Sequence, residues 1–174
     1  MDSSLHFDIV VFEEKHRTWA ELMLRENWGS SLVVTRGKIH HANLSDGFVA
    51  VINNEPKGLI TYTMNHGDCE IVTLNSLKEG IGIGSKLLDA AIDKAKQLGC
   101  GRVWLVTTND NAKAFAFYQK RNFKIAAIHC DTIKESRKIK PEVPEIGMNG
   151  IPIRDEIELE MPLRFLIATG PDFA

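Results

Sequence analysis

No stretch of this sequence approaches the roughly 20 consecutive apolar residues that a helix needs to cross a bilayer, so no membrane partner is expected. Cysteine is scarce. Cys69, Cys100 and Cys130 are widely spaced and odd in number, which argues against a disulfide framework and fits a reducing compartment. An excess of either charge is missing too: 21 Lys and Arg stand against 23 Asp and Glu, a net −2. A nucleic-acid partner is therefore not expected, because its phosphates would have to be neutralised by a basic surplus. The one basic cluster, Lys134 to Lys140, is interrupted by Glu135 and reads as a solvated helix face. Repeats, low-complexity tracts and interdomain linkers are absent. Met1-Asp2-Ser3-Ser4 has neither the basic nor the apolar region of a secretion signal, so the expected location is cytoplasmic. The 174 residues, 44% of them hydrophobic, suit one domain over 1–174.

The pattern along the chain is mixed. Phe7 to Phe12 reads as a strand and Glu13 to Asn27 as a helix, with Trp19, Leu22, Met23 and Glu26 on successive turns. Trp28 to Ser45 has no assignable period. Gly47 to Ile52 and Lys57 to Met64 read as strands around a hairpin turn at Asn53-Asn54-Glu55-Pro56, and Cys69 to Leu74 as a third strand. Beyond it, strand and helix alternate. Ser85 to Leu98 carries Leu87, Leu88, Ala91, Ile92, Ala95 and Leu98 in one helical stripe, ended by Gly99. Arg102 to Thr107 is a strand. Asn109-Asp110-Asn111 caps a helix running to about Arg121, and Phe123 to His129 is a further strand. Residues 131–155 form a long connection, with a short helix over Asp131 to Lys140. In the last strand Ile157, Leu159 and Met161 alternate with Glu156, Glu158 and Glu160, the pattern of a half-buried antiparallel strand. The expected class is mixed α/β.

The chemistry concentrates in Glu79-Gly80-Ile81-Gly82-Ile83-Gly84-Ser85, between a strand and an amphipathic helix. Alternating glycines let backbone N–H groups face one point, and the helix N-terminus adds free donors and partial positive charge. The product is a phosphate or pyrophosphate cradle. It is not a P-loop: counted from Gly80, the last three places hold Ser85, Lys86 and Leu87, and only the lysine matches. Neither placement of G-x-G-x-x-G ends in glycine.

The turn resembles the CoA-pyrophosphate loop of the GNAT superfamily of N-acetyltransferases, Q/R-x-x-G-x-G/A, with Gly82 and Gly84 in the glycine places and Glu79 where Gln or Arg is usual. Downstream, Asn111, Ala114, Phe117-Tyr118 and Asn122-Phe123 resemble the family's Asn, Ala, Phe-Tyr and Gly-Phe spacing. The resemblance covers about Cys69 to His129. It implies a central mixed sheet of six to seven strands flanked by helices, with one pair of parallel strands splayed apart, here Cys69 to Leu74 and Arg102 to Thr107. It implies acetyl-CoA as cosubstrate, a small-molecule or peptide amine as acceptor, and direct attack of that amine on the thioester. Homodimers are common in the family. No metal is implied, and the pair His40-His41 lacks further ligands at metal spacing.

By the same resemblance, Leu74, Asn75 and Ser76 pair with the pantetheine arm through their backbone. Gly80, Ile81, Gly82, Ile83, Gly84 and Ser85 hold the pyrophosphate, and Asn111 binds the arm. Tyr118 protonates the departing sulfur. Asn111, Phe115 and Tyr118 also share one helix face by spacing alone. Glu70, at the start of its strand, is either the general base, with a pKa raised by burial, or a surface glutamate. In the latter case water takes the proton. Arg154 or Asp155 in the long connection is available to read a charged acceptor. The alternative to catalysis is a non-catalytic acyl-CoA-binding or sensing module of the same fold.

Overall fold

The computed structural model describes residues 6–163. The first four residues, read above for a secretion signal, lie outside them. The strands are β1 (Asp8–Val11), β2 (Leu32–Thr35), β3 (Lys38–His41), β4 (Asp46–Ile52), β5 (Glu55–Asn65), β6 (Asp68–Ser76), β7 (Arg102–Thr108), β8 (Lys124–His129) and β9 (Glu156–Pro162). The helices are α1 (Glu14–Trp28), α2 (Ile83–Gln97), α3 (Ala112–Gln119) and α4 (Ile133–Ile139). Seven strands form one sheet in the order β1-β4-β5-β6-β7-β9-β8, and β2 and β3 make a separate ribbon.

Three hairpins turn on two residues that both have positive φ: Arg36-Gly37, Asn53-Asn54 and His66-Gly67. That geometry matches the right-handed twist of the flanking strands. It explains why Trp28 to Ser45, which showed no period, contains a ribbon. Arg-Gly is a weak turn signal, and the two strands it joins have four residues each. Asn122, where the family usually has Gly, adopts φ 66, a conformation Asn tolerates.

The sheet separates two apolar cores. On one face α2 buries Leu87, Leu88, Ala91, Ile92 and Ala95 against Ile60, Tyr62, Ile71, Val103 and Leu159. On the other, α1 buries Ala20, Met23 and Leu24 against Val49, Leu59 and Val72. The stripe on α1 differs from the expected one: Leu22 is exposed, and His16 lies inside instead. His16 closes the first turn. Its Nδ1 accepts the Glu13 N–H at 3.0 Å, and the Glu13 side chain caps the N–H of His16. His16→Ala is expected to lower stability by about 1 kcal/mol, read as a shift in denaturant midpoint. Burial lowers the His16 pKa below its ordinary 6.5. Its contribution is therefore complete above pH 6.5 and fades as acid protonates the ring.

The last strand corrects the alternating expectation. Leu159 is in the core, but Glu156 and Glu158 on the opposite face are also buried. β9 sits between β7 and β8, so both its edges are paired, and its acidic face is covered by the β2–β3 turn. Lys134 to Lys140 is likewise more than a solvated face. Lys140 is buried and donates to the Leu32 carbonyl, while Arg137 ties down the carbonyls of Val143, Pro144 and Ile153.

Candidate active site

β6 and β7 are parallel but stay paired only over Cys69↔Val103, Glu70↔Trp104 and Ile71↔Leu105. The break has a local cause. Against β5, Tyr62 faces Ile71 and Thr61 faces Thr73, which leaves Val72 as an extra residue. Such a bulge bends its strand and sharpens the twist, and here it falls immediately after the last β6–β7 pair. From Val72 onward β6 leans away, while β7 stays paired with β9 as far as Thr108↔Glu156. The expected splay is present, and the β7-facing backbone of Leu74, Asn75 and Ser76 is left without a strand partner.

A cavity of about 630 Å³ lies along this opening. Leu74, Asn75, Ser76, Gly80, Gly82, Ile83, Gly84, Ser85, Asn111 and Tyr118 all line it. Ile81 does not; it packs against the α2 core. Helix α2 begins at Ile83, two residues before the expected start, with Gly82 as its cap at φ 86. Its first internal bond is Lys86 N–H to Gly82 O, so the N–H groups of Ile83, Gly84 and Ser85 have no helical acceptor. A Cβ on Gly80 or Gly82 would meet open space, so the cradle is bounded by backbone. The donor set fits a pyrophosphate.

Glu79 is reconciled with such an anion by pairing. Its carboxylate accepts from Lys113 at the N-terminal turn of α3, which pulls its pKa below the ordinary value. Lys78 and Arg121 also line the cavity. Arg121 was not singled out from the sequence. Its guanidinium stacks 3.7 Å over Phe117 and donates to the Ser85 hydroxyl and the Phe117 carbonyl, joining α3 to α2.

Asn111 caps α3, its Oδ1 accepting the Ala114 N–H at 3.1 Å, which leaves the amide nitrogen for a ligand. Tyr118 is buried edge-to-face between Phe117 and Phe123, with ring centroids 5.1 and 5.4 Å away. Burial keeps its phenol protonated well above the ordinary range, opposed only weakly by Arg121. Its hydroxyl bonds to no described residue, and Tyr118 lines the cavity.

On the opposite face, past the C-terminal end of α1, lies a second cavity of about 510 Å³. It shares Asn111 and Met148 with the first. Residues of the long connection, Ile133, Lys140, Val143, Gly147, Met148 and Ile153 among them, form one wall. Arg154 and Asp155 do not reach it. They bond to each other, and Asp155 accepts the Asp131 N–H.

Glu70 departs from both descriptions above. It is 1% exposed, yet it lines neither cavity. Thr35 donates to its Oε1 at 2.9 Å, His40 Nε2 lies 3.2 Å from the same oxygen, and Lys38 Nζ is 3.5 Å from Oε2. Burial pushes its pKa up, but the hydrogen bonds from His40 and Thr35 and the charges of His40 and Lys38 win, so the net shift is downward, opposite to expectation. His40, half of a histidine pair with no evident role in the sequence, is thus part of a buried polar cluster, while His41 is exposed. No sequence signal linked positions 35, 40 and 70, because the ribbon carrying the first two had no legible period.

Comparison with known proteins agrees with this geometry. The model of the Acetyltransferase (GNAT) family matches residues 12–123. An uncharacterized Bacillus subtilis (strain 168) protein, YdhI, is 45% identical over 133 residues, 76% of this chain and 83% of its own. Among solved structures, an IAA acetyltransferase from Bacillus cereus ATCC 14579 superposes with a TM-score of 0.69 at 25% identity, over 91% of this chain and 100% of that one. A Bacillus subtilis acetyltransferase in complex with CoA superposes at 0.64 with 23% identity, over 91% and 100%. The splayed strands, the glycine cradle on α2 and these matches agree: the chain belongs to the GNAT acetyltransferase family.

Proposed function

We propose that the protein acts as a single domain that moves the acetyl group of acetyl-CoA onto a primary amine. The observation that carries this is the first cavity, where unpaired N–H groups at the start of α2 lead directly into the gap between β6 and β7. Solved relatives of the same fold hold CoA or acetyl-CoA, which supports the choice of cosubstrate.

In this reading the N–H groups of Ile83, Gly84 and Ser85 hold the pyrophosphate. The free edge of Leu74 to Ser76 orders the pantetheine arm, helped by the Asn111 amide. The amine docks through the second cavity and attacks as a neutral base only after shedding the proton that an alkylammonium keeps up to about pH 10.4. Its lone pair attacks the thioester carbon, backbone donors at the bulge meet the developing oxyanion, and the carbon–sulfur bond breaks. Tyr118 gives its proton to the leaving sulfur. Water takes the amine's proton and passes it on. Glu70, sealed behind Thr35 and His40, holds the ribbon in place. The long connection shapes the acceptor side.

Calorimetric titration of acetyl-CoA and CoA tests the reading. Wild type is expected to bind both. Gly82→Trp, which fills the cradle at a left-handed backbone position, should weaken both at least about 100-fold. Absence of wild-type binding at millimolar ligand would sink the proposal. The seclusion of Glu70 from both cavities favours one other reading, a module that binds acyl-CoA without turnover. Release of free thiol in the presence of an amine decides against it.

A further inference from the structure

The second cavity holds a group that the proposed transfer does not use. Its wall is mostly apolar, with Val33, Val72, Val106, Ile133, Met148 and Ile153. Glu156 lines it as well and is 2% exposed. Oε1 of Glu156 accepts the Arg36 N–H at 3.0 Å. Its Oε2 is buried and has no hydrogen-bond partner among the described residues. A buried carboxylate oxygen in that state is costly unless a ligand supplies the missing donor.

Apart from Glu142, the other charged groups nearby are engaged among the described residues. Asp110, also in the wall, accepts from the Thr108 hydroxyl and from the Met148 N–H. The Arg36 guanidinium donates to Glu158 at 3.1 Å. Lys140 donates to the Leu32 carbonyl at 2.8 Å. Glu142 lies at the exposed rim. The cavity wall therefore holds one buried acceptor, unanswered among the described residues and set just behind hydrocarbon side chains.

We propose that Glu156 anchors the cationic nitrogen of the acceptor, and that the acceptor is a compact amine with an apolar body. The inference rests on the second cavity being the acceptor side. An ammonium brings three donors and full charge to an acceptor-only oxygen, the strongest pairing available there. Val33, Val72, Val106 and Ile133 match a hydrocarbon or aromatic body. A cavity of about 510 Å³ suits a small molecule.

The test uses two probes of one shape, 2-phenylethylamine and the neutral 2-phenylethanol, titrated calorimetrically into CoA-saturated protein. Wild type should bind the amine more tightly than the alcohol. Glu156→Gln keeps the shape and an acceptor for the Arg36 N–H; it should weaken the amine at least about tenfold and the alcohol less than about twofold. Glu156→Asp, which withdraws the charge by one methylene, gives the same pattern and serves if the Gln variant does not fold. Equal losses for both probes would reduce Glu156 to a structural role and overturn the proposal. So would unchanged amine affinity, or no amine binding to wild type. CoA affinity is measured first. Its failure counts against acetyl transfer itself, and the probes are then titrated without CoA to judge Glu156 separately.

Discussion

Tyr118→Phe is expected to lower kcat about 100-fold while leaving CoA affinity and thermal stability nearly unchanged. The reason for the split is the setting of the ring. Its buried surface packs edge-to-face on Phe117 and Phe123, and phenylalanine preserves both contacts. The hydroxyl is bonded to no described residue, so its removal breaks no internal hydrogen bond and leaves no partner stranded. What is lost is a proton for the leaving sulfur, needed only as the carbon–sulfur bond breaks. Such a loss appears in kcat, with KM for acetyl-CoA held within about threefold. Burial raises the phenol above its ordinary 10.0, so wild-type kcat should show no alkaline fall from this group below pH 10. Steady-state kinetics beside calorimetry checks all of this. An unchanged kcat removes Tyr118 as the acid, and a matching loss of CoA affinity makes it a binding residue instead.

Glu70→Ala should cost about 2–3 kcal/mol of stability and lower the midpoint of thermal unfolding by about 8 °C. Glu70 is 1% exposed and joins the main sheet to the ribbon through Thr35 and His40. Deleting it removes the acceptor of the Thr35 hydroxyl and the acidic partner of His40, and leaves these two buried groups with only their mutual contact at 2.9 Å. The sign of the pH dependence follows from its lowered pKa. The stabilisation is fully present above the ordinary 4.5 and is lost as pH falls through the lower native value. The gap between wild type and variant should therefore narrow on acidification below pH 4.5, as read in denaturant titrations at several pH values. A gap independent of pH would mean that packing alone is lost. Turnover separates structure from catalysis. With water as the base, Glu70→Gln retains most of its kcat at a temperature where it is folded. A loss near 1000-fold would return Glu70 to the role of general base.

Much of the lining of the first cavity was legible because its signals are local. The glycines at 80, 82 and 84 sit within one turn of the α2 stripe, and Asn111, Phe115 and Tyr118 follow the period of a single helix. Short-range spacing of this kind survives without knowledge of distant partners. The start of α2, the inward turn of Ile81 and the place of Phe115 differ: Phe115 packs against the α2 core, and Phe117 lines the cavity in its stead. The α1 face misled because His16, a polar residue, is buried as a cap while Leu22 points to solvent.

The amino-acid sequence by itself determined the alternation of strand and helix from Cys69 to His129, the backbone cradle before α2 and the aromatic face of α3. Each is set by steric and hydrogen-bonding preferences within a few residues. The tertiary structure decided where Glu70 and Glu156 stand. Glu70 became part of a sealed cluster because the turn at Arg36-Gly37 brings Thr35 and His40 against β6. Glu156 gained a wall in the second cavity because β9 inserts between β7 and β8 and the same turn caps its other oxygen. The register between strands tens of residues apart places one glutamate behind a ribbon and the other in a cavity, and an alternating pattern of Ile and Glu gives no measure of that distance.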